Sequence, residues 1–133
     1  MGAKENLVLH TAWTEAEQRH DLTHHGDFMH RDIEFHPPGG ELVLGLEAYI
    51  TMMEATYAGL DGFFVVLDDQ LATDDRVVCR YRTRGTHTGN LFGLPATGRQ
   101  IEVAGMSLWE FEDGKARRSW SFSDVAALMA QLS

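Results

Sequence analysis

Hydrophobic side chains recur every three or four residues in two stretches of the first half of the chain, as they do along one face of a helix. The first stretch runs from Glu5 to Arg19, and the second runs from Gly45 to Tyr57. Asp21 is a favourable N-cap for a short helix between them, which we expect to end near Gly26 or Met29. The first half of the chain is therefore predicted to contain three helices.

Strand patterns dominate the rest of the chain, where β-branched and aromatic residues lie between turn-forming clusters. The predicted strands are residues 32–36, 62–72, 76–88, 100–111 and 116–122. Asp113-Gly114 is typical of a tight hairpin and joins the last two. Val125–Leu132 is predicted to be a short closing helix. The expected class is α+β, with a curved, mixed or antiparallel sheet.

The strand from Ile101 to Phe111 is apolar on both faces, so both faces are expected to be covered. The helices supply one cover. We expect a second copy of the chain to supply the other, which predicts a homodimer or a larger homo-oligomer.

Composition limits the classes of function. With 133 residues and 44% apolar content, the chain fits one domain spanning residues 1–133. Its 20 acidic and 11 basic residues give a net charge of −9, which argues against nucleic acids and anionic membranes as partners. No long apolar run suggests a signal peptide or a membrane span, so a cytoplasmic location is expected. The single Cys79 is expected to be a packed, unreactive thiol.

Motifs for cofactors and covalent catalysis are missing from the sequence. There is neither a phosphate-binding Gly-x-Gly-x-x-Gly nor a Gly-x-Ser-x-Gly elbow. His20 and His24 have a spacing that suits two zinc ligands on a helix, but no third ligand or His-Glu-x-x-His motif accompanies them. We therefore predict no metal and no cofactor.

Several motifs of the second half form one pattern: Arg80–Gly89, Gly93–Arg99, Glu112–Lys115, Trp-x-x-x-Asp at 120–124, and Gln131-Leu132. This pattern resembles the SnoaL-like polyketide cyclase family, within the nuclear transport factor 2-like superfamily. The resemblance implies a cone-shaped α+β barrel, with helices at its mouth, that encloses one deep apolar pocket. Because this fold supports many reactions, the resemblance alone does not fix the activity.

Asp124 and His87 are the predicted catalytic residues. Asp124 falls where the resembling cyclases have an aspartate general acid/base, at the end of the last strand. Strand periodicity gives it the same face as Trp120 and Phe122, and an apolar setting raises the pKa of a carboxyl group. Asp124 is also a suitable N-cap for the helix that follows, and the two roles are compatible. His87 shares the face of Tyr81 if the strand has no bulge at Gly85, and either stabilises a substrate oxygen or binds its own backbone.

The predicted substrate-binding residues are His36, Met53, Met106, Trp120 and Phe122. His36 can be aligned with a His-Pro position of SnoaL-like ester cyclases, although a structural histidine is the simpler interpretation. The methionines and aromatic residues suit the wall of a pocket for a bulky apolar ligand.

The leading hypothesis is a cofactor-free enzyme that binds a bulky, apolar or aromatic carbonyl compound and removes a proton next to the carbonyl. Asp124 is its base, and the enolate closes a ring by intramolecular aldol chemistry or is reprotonated in an isomerisation. The alternative is a non-catalytic module that binds a small ligand or mediates dimerisation. An epoxide hydrolase of the limonene type is disfavoured, because the Arg80–Arg84 strand lacks the required aspartate.

Overall fold

A computed structural model describes residues 2–133, within which four helices and six strands form one sheet with helices against it. The helices are α1 (Ala3–Gln18), α2 (His25–Phe28), α3 (Leu46–Gly59) and α4 (Val125–Leu132). The strands are β1 (Met29–His36), β2 (Val43–Leu44), β3 (Leu60–Ala72), β4 (Arg76–His87), β5 (Gln100–Glu112) and β6 (Lys115–Ser123). The predicted α+β class is confirmed.

The sheet has the order β2-β1-β6-β5-β4-β3 and is mixed. β1 and β6 run parallel, and every other neighbouring pair is antiparallel. The curved sheet is not closed into a barrel, because its edge strands β2 and β3 do not pair with each other within residues 2–133. The helices on the concave side, rather than continuous strand pairing, complete the wall of the interior.

Aromatic rings join the helices to the concave face of the sheet. Trp13 of α1 packs edge-on against Trp109 of β5, with their ring centres 4.9 Å apart. Phe35 of β1 stacks on the same Trp109 at 5.7 Å and meets Tyr49 of α3 edge-on at 5.3 Å. All four side chains are buried, so this cluster fixes the positions of α1 and α3 over the sheet.

Two short elements differ from the sequence prediction. The second helix begins at His25, because the Asp21 carboxylate accepts hydrogen bonds from the backbone N–H and the hydroxyl of Thr23 in a local turn. β2 was not predicted, since its two residues are defined by pairing with β1 rather than by any periodicity of their own. Among residues 2–133, no helix is long and apolar enough to cross a membrane.

Candidate functional site

An apolar cavity of about 290 Å³ lies between the concave face of the sheet and α3. The loop after β1, the loop between β4 and β5, and α4 surround its opening through Pro37, Pro38, Gly40, Leu91, Phe92 and Leu128. The side chains deeper in the cavity are mostly apolar and include Phe35, Met52, Met53, Leu60, Phe63, Ile101 and Val103. This lining suits a largely apolar small molecule.

A second cavity of about 130 Å³ lies next to the first, below α1. Phe35, Met53, Phe63 and Tyr81 line both cavities, so the second is an inner lobe of the same interior space. The inner lobe differs in chemistry, because it also presents polar side chains from α1, β4, β5 and β6. A ligand that fills the interior therefore meets its polar partners at the inner end.

Tyr81 and a pair of serines form the polar wall of this lobe on the sheet side. The hydroxyls of Ser107 and Ser121 lie 2.6 Å apart, on directly paired residues of β5 and β6. Burial raises the pKa of the neighbouring Tyr81, an effect that the Ser107 hydroxyl partly offsets. Tyr81 therefore keeps its proton near neutral pH and is available as a hydrogen-bond donor.

Gly105 makes room for the Tyr81 phenol. It pairs with Tyr81 across β4 and β5, and a Cβ atom at position 105 would lie 2.6 Å from both Cζ and Oη of that ring. The bare backbone of Gly105 thus allows the phenol to lie flat against the sheet at the boundary of the two lobes.

Glu17 supplies a carboxylate on the helical side of the inner lobe. Its Oε2 accepts a hydrogen bond from the Tyr49 hydroxyl at 2.7 Å and lies 2.8 Å from Nε2 of His25. The pKa of Tyr49 is raised well above its ordinary value, first by burial and then by the adjacent Glu17 charge. Tyr49 consequently remains a donor to the carboxylate.

His10 faces the same lobe from one turn earlier than Trp13 on α1. Its Nδ1 lies 2.7 Å from the side-chain amide nitrogen of Gln70, which can only donate, so Nδ1 accepts and Nε2 carries the proton. Burial lowers the pKa of His10 from 6.5 to about 4. His10 is therefore a neutral donor at neutral pH.

The predicted inward orientation of Trp120, Phe122 and Asp124 is wrong. Ser121 pairs with Ser107 on the concave side, so the alternating residues of β6 point to the convex side, where Phe122 is 73% exposed. Asp124 is exposed and caps α4, with its Oδ1 accepting from the Ala127 N–H at 2.9 Å. Strand periodicity correctly placed Trp120 and Phe122 on one face of β6. The prediction failed because the face with the larger side chains was assumed to be the one that points inward.

The other predicted site residues are distributed over three places. His36 stacks on Trp120 with ring centres 5.3 Å apart, and Met106 is half exposed on the convex side. Met53 lines both lobes of the cavity. His87 is fully buried at the end of β4, and its Nδ1 accepts from the Thr97 N–H at 3.3 Å. Asp124, His87, His36 and Met106 are not among the described residues that line either lobe.

His20 and His24 lie outside the helices, since α1 ends at Gln18 and α2 begins at His25. His20 stacks on Tyr57, and His24 is exposed near Asp27. No cluster of three His, Cys, Asp or Glu side chains in residues 2–133 has the arrangement of a metal site.

The convex face of the sheet combines ion pairs with an apolar groove. Arg80, Arg82 and Arg84 pair with carboxylates of neighbouring strands, with N–O distances of 2.7 to 2.9 Å for the shortest contact of each. Beside them, Val78, Leu108 and the exposed Met106 and Phe122 line a shallow groove together with Trp120. We call this surface, defined by those five apolar residues, the convex apolar face.

A family model described as SnoaL-like polyketide cyclase matches residues 7–132, which is nearly the whole chain. The chain belongs to this family. None of the curated proteins matches it in sequence.

Solved structures agree with this membership. A candidate SnoaL-like polyketide cyclase from Jannaschia sp. CCS1 is 20% identical, with 98% of this chain and 93% of that chain covered and a TM-score of 0.90. IdmH from Streptomyces antibioticus, a candidate polyketide cyclase, is 26% identical, with coverages of 96% and 97% and a TM-score of 0.82. AclR from Streptomyces galilaeus, a candidate hydroxylase, is 22% identical, with coverages of 98% and 82% and a TM-score of 0.83. Proteins of this fold thus carry more than one proposed activity.

Proposed function

We propose that this SnoaL-like protein is an enzyme that binds a bulky, mainly apolar carbonyl compound and moves a proton at the carbon next to the carbonyl. The observation that carries the proposal is the two-part interior, in which an apolar cavity ends in a lobe with Tyr81, Ser107, Ser121 and His10. The apolar part suits a hydrocarbon skeleton, and the inner lobe suits the carbonyl oxygen.

Hydrogen-bond donors in the inner lobe suit the charge that develops in such a reaction. Removing the proton leaves an electron pair that forms a carbon–carbon double bond, while the carbonyl π electrons move to oxygen. Tyr81 and His10 both hold a proton at neutral pH, and donors fixed in a water-poor site stabilise an enolate oxygen effectively. The proposed role of these two residues is therefore to bind and polarise the carbonyl.

The fate of the enolate defines the overall reaction. In a cyclisation its carbon bonds to a second carbonyl of the same molecule, whose oxygen takes up the proton. In an isomerisation the proton returns to a different carbon. Both reactions balance without an oxidant or a reductant, and family membership together with the similarity to a candidate polyketide cyclase supports the first.

The first step can be tested with a probe that needs no cyclisation. 2-Tetralone is a bicyclic ketone with exchangeable protons next to its carbonyl, so their replacement in deuterated buffer reports proton abstraction. We expect the protein to accelerate this exchange and Tyr81→Phe to slow it by roughly 10²–10³-fold, the usual range for losing one oxyanion donor.

Naphthalene has a similar shape but no carbonyl, and provides the control. Its binding, followed by tryptophan fluorescence, should be similar in both proteins. If 2-tetralone binds without exchanging faster than it does in buffer, a non-catalytic binding module explains the cavity better.

We also propose that two copies of the chain associate through the convex apolar face. Met106 is 51% exposed and Phe122 is 73% exposed there, on strands whose other side packs against the interior. Covering both with a second copy would remove a large apolar surface from water.

A further inference from the structure

We propose that Glu17 is the general base of this site and that Tyr49 and His25 position its carboxylate. The assignment rests on the proposed function, since it names the group that removes the substrate proton. It replaces Asp124 with a residue of α1 that no motif of the sequence pointed to.

The placement of Glu17 meets the first requirement of a base, which is access to the ligand. It lies in the last turn of α1 and lines the inner lobe, while its side chain is only 13% exposed. Tyr81 and His10, the proposed carbonyl-binding residues, line the same lobe. A ketone whose oxygen meets those donors therefore has its neighbouring carbons in the same small space as the carboxylate.

The hydrogen bonds of Glu17 are unevenly divided between its two oxygens. Tyr49 and His25 both contact Oε2, at 2.7 and 2.8 Å. Oε1 accepts no hydrogen bond from any residue between 2 and 133, and it is not one of the fully buried side-chain atoms that lack a partner, so it keeps some accessible surface. One oxygen is thus held in place while the other keeps its lone pairs available for a substrate proton.

His25 shows that this arrangement has a cost for the fold. The side chain is completely buried, and its Nδ1 has no hydrogen-bond partner within the described residues. A buried polar nitrogen without a partner is unfavourable, and such atoms in native structures call for an explanation. Holding the Glu17 carboxylate through Nε2 provides that explanation.

Proton transfer by Glu17 balances without any added reagent. The bond between the substrate carbon and its proton breaks, and a bond between that proton and Oε1 forms. The carbon electron pair becomes the enolate double bond, and the carbonyl oxygen gains the charge next to Tyr81 and His10. The same protonated carboxyl then returns its proton to the product oxygen or to another carbon.

The decisive variant is Glu17→Gln, which keeps the size of the side chain but cannot take up the proton. We expect 2-tetralone exchange to fall by roughly 10²–10⁴-fold, as is usual for a lost acid/base group, with naphthalene binding retained. Glu15→Gln is the matched control, because Glu15 lies on the same helix but is exposed to solvent. It should exchange 2-tetralone at the rate of the unmodified protein.

Tyr49→Phe tests the positioning role with a readout that a purely structural residue would not change. Losing the Tyr49 hydrogen bond leaves Oε2 less firmly held, so the kcat for 2-tetralone exchange should fall, though by less than in Glu17→Gln, while the KM for 2-tetralone stays unchanged.

The outcomes separate this assignment from the proposed function. Normal exchange in folded Glu17→Gln overturns the role of Glu17 but leaves the proposed function intact, whereas no exchange by the unmodified protein overturns both. If Glu17→Gln does not fold, Tyr49→Phe decides, and an unchanged kcat in that variant overturns the assignment.

Discussion

Replacing His10 should change how the stability of the protein depends on pH. The side chain is 2% exposed, its Nδ1 is occupied by the Gln70 amide, and burial lowers the pKa of the imidazole to about 4. In the unfolded chain the imidazole is in water, where its pKa is 6.5. Between these two values the unfolded state binds a proton that the folded state does not.

The sign and the size of the effect follow from linkage. Because the pKa of His10 is lower in the folded state, its contribution is fully present above pH 6.5 and is lost as the pH falls towards 4. At about 1.4 kcal/mol for each pH unit, the whole loss amounts to about 3 kcal/mol, and most of it is complete by pH 4.5. This loss is a large part of the free energy of unfolding of a typical domain, which is roughly 5–15 kcal/mol.

Urea unfolding between pH 8 and pH 4.5, at one protein concentration, measures the effect. In His10→Asn the side-chain oxygen can still accept from Gln70 but does not titrate, so the free energy of unfolding should fall less between these pH values than in the unmodified protein, by about 2 to 3 kcal/mol. His24→Asn, which makes the same replacement at an exposed position, is the control for the substitution itself. The pKa values of Asp68 and Glu102 are lowered by their arginine partners, so these groups titrate below their usual range. Parallel curves for His10→Asn and the unmodified protein would refute the argument.

Three further predictions concern the cavity, α4 and the convex apolar face. Gly105→Ala should slow 2-tetralone exchange about as much as Tyr81→Phe, because the new Cβ atom displaces the phenol; an unchanged rate would show that the ring position is unimportant. Asp124→Ala should lower the free energy of unfolding by about 1 kcal/mol and Asp124→Asn by less, and a more than tenfold fall of exchange in Asp124→Asn would restore its role as the base. The protein should sediment as a dimer or larger species and Phe122→Asp as a monomer, with Phe92→Asp as the control on another exposed surface; a monomeric unmodified protein would contradict this.

Much of the fold was predictable because its long elements repeat their patterns often enough to be recognised. The four long strands begin and end within about two residues of the predicted bounds, and the bounds of α4 are those predicted. β2 and α2 were not recognisable in this way. β2 exists through its pairing with β1, which is a contact between distant residues, and α2 is a single turn.

The site was harder to predict because one strand reverses the usual pattern. In the Ser-Trp-Ser-Phe-Ser sequence of β6, the serines face the interior and the aromatic residues face outward. Alternation in the sequence shows that two faces exist, but it does not show which one is buried. Assigning the apolar face of a strand to the interior is reasonable for a monomer. The assignment is wrong for β6, because its inner face carries serine hydroxyls that point towards a cavity.

Three side chains of α1 that line the inner lobe have a regular spacing in the sequence. His10, Trp13 and Glu17 are three and four residues apart, so they share one side of the helix. The helix was predicted from its apolar stripe, and the two polar residues next to that stripe were not among the predicted site residues. An amphipathic pattern indicates which side of a helix packs inward, but polar residues at the border of that side are recognised as part of a cavity only in the folded structure.

The two sides of the sheet bear on the two proposals made above, proton transfer in the interior and association through the convex apolar face. A buried polar atom left without a partner, such as Nδ1 of His25, costs about 1–3 kcal/mol, a cost that an apolar interior would avoid. This chain nevertheless places Glu17 and the incompletely satisfied His25 beside its inner lobe, while leaving Phe122 exposed on the convex side. Polar groups inside and apolar side chains outside are what the proposed proton transfer and the proposed dimer would require. The proton-transfer site and the dimer interface are therefore expected together, and the exchange and sedimentation measurements test the two halves of that expectation separately.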